Sequence, residues 1–138
     1  AGQIRIALFR GGELIPLCEC QTVDVLAQRA YQEGRLGRQE TIWSLQDKNL
    51  WNYVGKDGFC QIEVCEAPVR LRKGDLAVMM TKGIYEEVPF AEIERILANE
   101  MLTAQGKADR VVQCADKSLA QDKENGSIVV LLTDGAMR

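Results

Sequence analysis

Leu71-Arg72-Lys73-Gly74-Asp75-Leu76-Ala77-Val78-Met79-Met80-Thr81-Lys82-Gly83-Ile84 is the stretch on which the fold turns. Inside it, Leu76 to Met80 is an unbroken apolar run of strand length, and a strand without polar alternation is expected to be covered on both faces. Ile128-Val129-Val130-Leu131-Leu132 repeats that pattern later in the chain. Between the two runs, Pro89 stands where a first helical turn begins, and Phe90, Ile93, Ile96, Leu97 and Met101 form one apolar stripe at helical spacing. After Gly106 a second stripe follows: Ala108, Val111, Val112, Ala115 and Leu119. Two strands therefore bracket two amphipathic helices.

Toward the N-terminus the grammar changes. Gln3 to Phe9 reads as a strand, Arg10-Gly11-Gly12 as a tight turn and Glu13 to Leu17 as the returning strand of a hairpin. Val23, Leu26, Ala27 and Ala30 then recur at helical spacing, with Thr22 as N-cap and Gly34 as stop. Gln39 to Tyr53 mixes Ile42, Trp43, Leu45, Leu50, Trp51 and Tyr53 with polar residues and predicts a helix with irregular flanks. Its two tryptophans read as core rather than as ligand platforms. Gly55-Lys56-Asp57-Gly58 is a turn, after which Gln61 to Cys65 and Pro68 to Leu71 read as strand segments. Hairpins at the start and helices later favour an α+β fold. Strands covered on both faces would suit two stacked sheets flanked by helix pairs.

The 138 residues, 46% of them hydrophobic, are enough for a single domain over 1–138. With 17 basic against 20 acidic side chains and a formal charge of -3, a broad grip on nucleic acid or an anionic membrane is not expected. No apolar stretch reaches the ~20 residues of a membrane span, and no basic-then-apolar leader opens the chain, so the expected compartment is the cytoplasm. Cys18, Cys20, Cys60, Cys65 and Cys114 lack the spacing of a secreted disulfide framework. They read as reduced thiols rather than a zinc site, because the chain has no histidine. The same lack removes the usual base of a hydrolytic triad, and no dinucleotide or phosphate-loop glycine pattern is present.

The order of residue types in 71–84 resembles the late signature of the metal-dependent serine/threonine protein phosphatases of type 2C. There a leucine precedes Gly-Asp, here Gly74-Asp75, an apolar strand follows, and the strand ends in Thr-Asp-Gly or Ser-Asp-Gly, here Thr81-Lys82-Gly83. Glu124-Asn125-Gly126 falls where that family has Asp-Asn before its last strand, and Gly2-Gln3-Ile4-Arg5 where it has Gly-Asp-Ser-Arg before a hairpin. The likeness covers nearly the whole chain, as the C-terminal part of the family's domain. It implies a portion of a four-layer α-β-β-α sandwich with antiparallel sheets.

The departures bear on chemistry. The family's early acidic motifs have no counterpart here, so the resemblance implies either a fragment of a longer protein or a reduced domain. Family members hold two divalent cations between carboxylates, and Lys82 stands where an aspartate is expected. Replacing that charge turns attraction into repulsion of on the order of 4 kcal/mol per unit charge at ~4 Å and moderate dielectric. Glu124 keeps a carboxylate, with one more methylene, as the remaining metal-ligand candidate, and Gln3 replaces an aspartate. Lys82 is thus read as putting its own ammonium where a cation would sit, against the plainer reading of a solvated strand-end lysine. Thr133-Asp134-Gly135 imitates the lost motif but follows the last strand, where turn residues need no catalytic role.

The expectation is a non-catalytic phosphatase-like module, a pseudophosphatase, that binds a protein partner or the N-terminal part of the same domain. No catalytic residue and no cofactor is expected for this chain. The alternatives are an active phosphatase using magnesium or manganese and completed by sequence outside this chain, and a structural subunit, a homo-oligomer included, that pairs its sheet with another chain.

Overall fold

A computed structural model describes residues 1–59, 62, 64, 67–118 and 123–134. The chain divides into two compact units, Ala1–Gln3 with Glu19–Cys65, and Ile4–Cys18 with Glu66–Arg138. Among the described residues no helix is long and apolar enough to cross a membrane.

The larger unit is built on four antiparallel strands, β1 (Ile4–Arg10), β2 (Glu13–Pro16), β3 (Leu76–Thr81) and β4 (Ile128–Leu132), in the order β2-β1-β3-β4. Gly11 and Gly12 turn the hairpin with φ of +62° and +91°, values that only glycine adopts without strain. Register decides the faces. Ala7 lies opposite Pro16 and Val78, and Val78 opposite Val130, so one face carries Ala7, Phe9, Leu76, Val78, Met80 and Ile128. This face meets three helices, numbered third to fifth along the chain: α3 (Lys82–Tyr85), α4 (Phe90–Leu97) and α5 (Ala104–Lys117). Phe9, Leu76, Val78, Met80, Ile84, Val88, Ile93, Ile96, Leu97, Val111 and Ala115 form one buried cluster there.

The other face is covered in part among the described residues: Leu8 is buried there, and Ile6, Ala77 and Met79 are half-buried. Ile4, Ile15, Val129 and Leu131 are 46%, 40%, 47% and 53% exposed. The helices of this unit pack on the first face; on the second, the β4 side chains Val129 and Leu131 stay exposed while Leu8 of β1 is buried. β4 is an edge strand. The observed unit has two layers, sheet and helices, and is α+β.

Other differences have local causes. Pro68–Leu71 does not join the sheet. Proline has no N–H to give, and the carbonyl of Arg70 is taken by Arg10 Nη2 at 2.8 Å. The first stripe ends early, because α4 stops at Leu97, leaving Met101 91% exposed with its N–H on Asn99 Oδ1 at 3.0 Å. Phe90, in the first turn, is 42% exposed. The second stripe sits on a helix that begins before Gly106, since Thr103 caps it by accepting the Gly106 N–H at 3.1 Å. Leu119 of that stripe, and Cys60 and Cys65 with most of the Gln61–Cys65 segment, lie outside the described residues.

The smaller unit holds the first two helices, α1 (Val23–Gln32) and α2 (Arg38–Ser44). Thr22 is the N-cap of α1 by position but makes no side-chain cap bond. The N–H groups of Val23 and Asp24 instead reach the carbonyls of Asn49 and Asp47 at 2.9 and 3.0 Å. Gly34 ends α1 with φ +71°. Gln21, Thr22, Asp24, Thr41 and Asn52 are buried here, and Gln21 Oε1 accepts from Gly2 N–H at 3.2 Å and Asn52 Nδ2 at 2.8 Å. A polar interior explains the lack of a clean period over Gln39–Tyr53. Trp43, expected in the core, is 72% exposed, because Thr41 holds the buried side of α2 and two residues turn a helix by about 200°.

Lys107 joins α4 and α5. It is 6% exposed, and its ammonium donates to the carbonyl oxygens of Leu97 and, at 2.7 Å, Asn99, which α4 leaves without intrahelical partners. Replacing Lys107 by Met keeps the stem and takes the ammonium from the Leu97 carbonyl, while the Asn99 carbonyl keeps the Leu102 N–H at 3.2 Å. Chemical denaturation is expected to show a loss of about 1–3 kcal/mol. An unchanged midpoint would mean that water satisfies the helix end.

Candidate functional site

The residues singled out from sequence gather at the two ends of β3, about 20 Å apart for a strand of this length. At its start, Gly74 takes φ +87° and sends its N–H to the Thr133 carbonyl at 3.1 Å. Asp75, only 3% exposed, accepts from Arg10 Nε at 3.0 Å, Arg10 Nη2 at 2.5 Å and the Arg72 N–H at 2.6 Å. The forked hydrogen bond from Arg10 is the main reason the carboxyl titrates at about 2, with burial opposing and the Arg72 N–H adding to the effect. Asp75 is thus committed to the scaffold. Thr133 is structural too, its hydroxyl donating to the Asp75 carbonyl at 3.0 Å; of the imitation motif, Gly135 lies outside the described residues.

At the other end, Thr81 pairs with Ser127 twice: its N–H donates to the Ser127 carbonyl at 3.0 Å and its hydroxyl accepts the Ser127 N–H at 2.9 Å. This holds residues 124–127 against the end of β3. The backbones then cross so closely that a Cβ on Gly83 would stand 2.4 Å from the Glu124 carbonyl oxygen and 2.7 Å from that of Asn125. A Cβ on Gly126 would stand 2.9 Å from Gly83 backbone atoms. Glycine is required at both places by contact rather than by φ.

That crossing brings Lys82 to Glu124. Lys82 Nζ is 2.5 Å from Glu124 Oε1 and 3.8 Å from Glu86 Oε2, and the lysine side chain is 25% exposed. The hydrogen bond to Glu124 is the leading cause of a Lys82 pKa above the ordinary lysine value; burial opposes it and the charges of Glu86 and Glu124 add to it. Lys82 is therefore a partnered cation. Glu86, one helical turn on, was available from its i,i+4 spacing.

The remaining motif positions are placed elsewhere. Arg5 lies on β1 with its guanidinium over the rings of Tyr85 and Phe90, 4.6 and 5.3 Å from their centroids. Gly2, with φ +81°, and Gln3 belong to the smaller unit, where the Gln3 amide donates to the Lys48 carbonyl at 3.2 Å. Cys18, Cys20 and Cys114 are half-buried and in no disulfide, and the Cys18 sulfur accepts the Ile6 N–H at 3.2 Å.

No family model matches this sequence, and no curated protein does. Solved structures do. A serine/threonine phosphatase of S. agalactiae superposes with a TM-score of 0.62 at 20% identity, over 96% of this chain and 52% of that one. The fold is that of the PPM phosphatases. The serine/threonine phosphatase PstP/Ppp of Mycobacterium tuberculosis matches at 23% identity and TM-score 0.62, over 94% and 51%. The PPM Ser-Thr phosphatase MsPP of Mycobacterium smegmatis matches at 19% and 0.64, over 94% and 52%. The chain thus spans about half the length of the PPM structures it matches, as a C-terminal portion of their fold.

The donors present suit a divalent cation poorly. Such ions need several oxygen ligands, and the motif carboxylate Glu124 already carries an ammonium. Among the described residues no three Cys, Asp or Glu side chains come together as a metal cluster.

The Asp75 carboxyl gives a pH test. Its pKa is about 2 folded, against ~3.9 unfolded, so its contribution to stability is complete above the unfolded value and is lost as pH falls toward the folded one. Asp75→Asn is expected to lower the melting temperature most at neutral pH, the gap to the parent closing as acid is added. A gap independent of pH would show that the ionised fork is not what Asp75 supplies.

Proposed function

We propose that this chain is a non-catalytic phosphatase-like module that acts by binding a protein. The observation that carries the reading is the Lys82 ammonium on Glu124, at the strand end where the resemblance leads one to expect an aspartate and a metal. One fixed positive charge there neutralises the acidic side chains that a cation would otherwise neutralise. It offers no exchangeable ligand position, and with it no metal-activated water. Gln3, Lys82 and Glu124 all depart from the aspartates of the resembling motifs. A scaffold kept with its metal chemistry altered is what a binding role requires, since recognition depends on shape and surface, while hydrolysis depends on the cations.

Calorimetric titration with manganese, on the parent and on Lys82→Asp, tests this. The parent is expected to give no binding heat. In the variant a new carboxylate joins Glu86 and Glu124 with no ammonium among them, and manganese is expected to bind at least tenfold more tightly. Saturable binding by the parent that Glu124→Gln abolishes would overturn the proposal. So would manganese-dependent phosphate release from a phosphothreonine peptide.

A further inference from the structure

We infer that the outer edge of β4 takes an extended, apolar segment of a protein partner as a further strand of the sheet. The inference rests on the protein-binding reading above for its occupant, and on the backbone of β4 for its place. In an antiparallel sheet the N–H and C=O of successive residues point to opposite sides of their strand. The Thr81 N–H donates to the Ser127 carbonyl at 3.0 Å and the Thr133 N–H to the Asp75 carbonyl at 3.1 Å, so Ser127, Val129, Leu131 and Thr133 face β3. The backbone groups of Ile128, Val130 and Leu132 therefore face away from it. Among the described residues none of these N–H groups or carbonyls has a hydrogen-bond partner.

The opposite edge of the sheet is closed. Ile6 faces β2, its carbonyl accepting the Leu17 N–H at 2.8 Å, which leaves Leu14 and Pro16 of β2 facing outward. The Leu14 N–H is given to Glu94 Oε1 at 2.9 Å, and Pro16 has no N–H to give. Such a carboxylate and such a proline keep an edge from pairing. β4 has neither device: Ile128-Val129-Val130-Leu131-Leu132 carries no charge and no proline, and Val129, Leu131 and Leu132 are exposed.

The unpaired groups select an occupant that offers the same groups in return, which is another backbone in extended form. Its side chains would lie beside Val129 and Leu131 on one face and beside Ile128 and Val130 on the helix face, so uncharged residues are selected, β-branched or aromatic ones above all. Size favours a flexible segment over a second folded copy. The edge is 5 residues long, about 17 Å. Two copies joined along it would bury less than a specific interface between domains requires, whereas strand addition draws its affinity from main-chain hydrogen bonds.

Amide NMR of the whole chain, titrated with a blocked hexapeptide of alternating threonine and valine, tests the inference. In the free protein the Ile128, Val130 and Leu132 amides are expected to exchange with solvent at least tenfold faster than those of Val129 and Leu131. With peptide they are expected to shift saturably and gain protection, while the Leu14 amide on the closed edge stays unmoved. Val130→Pro removes an outward N–H alone, and is expected to lose the response with the Val129 and Leu131 amides still protected. Leu131→Lys, which keeps every N–H and puts a charge beside the incoming strand, is expected to weaken the response at least threefold. No response from the parent, or slow exchange at Ile128, Val130 and Leu132 before peptide is added, would overturn the inference. So would shifts of these amides with protein concentration alone, which would make a second copy the occupant. Manganese binding by the parent would overturn the non-catalytic reading and leave these amides unmoved, so the two failures are distinguishable.

Discussion

The Asp75 carboxylate, at the entry to β3, receives two hydrogen bonds from one guanidinium and one from the Arg72 backbone, while the Asp75 carbonyl receives the Thr133 N–H. One residue therefore ties the end of β1, the turn before β3 and the exit of β4. β3 is the strand both neighbours pair with, so its placement sets the register of the sheet and the surface on which α3, α4 and α5 pack. A buried carboxylate would be costly without partners, and here the fork is its compensation. The far end of β3 is held by different means, paired glycines that let two backbones touch and a threonine that exchanges hydrogen bonds with Ser127.

With both ends of β3 fixed, the position of Lys82 follows. It is the first residue after the strand, and the Gly83 crossing leaves its ammonium beside Glu124, while helical spacing brings Glu86. This place on the PPM fold is where the resemblance leads one to look for carboxylates and cations. The chain offers carboxylates with a built-in counter-ion.

Much of the fold was legible because it rests on short-range pattern. The apolar runs gave β3 and β4, Gly11-Gly12 gave the hairpin, and helical spacing gave α1, α4 and α5. What escaped was set by distant partners or by polar interiors. Arg10 looked like a turn residue because Asp75 lies 65 positions away. Nothing local announces that the Lys107 ammonium closes the end of α4. Trp43 was misplaced because the smaller unit buries Gln21, Thr22 and Asn52 where an aromatic core was expected. The site itself was half legible: Glu86 could be found by spacing, whereas the meeting of Lys82 and Glu124, 42 positions apart, followed only from the resemblance.

The central claim is that the Lys82 ammonium serves Glu124 as its cation, and the ammonium can be observed directly. Nitrogen-15 NMR of the Lys82 side chain through an alkaline titration is expected to give a midpoint above the ordinary lysine value of ~10.4, falling back toward it in Glu124→Gln. A midpoint at the ordinary value, unmoved by Glu124→Gln, would contradict the account.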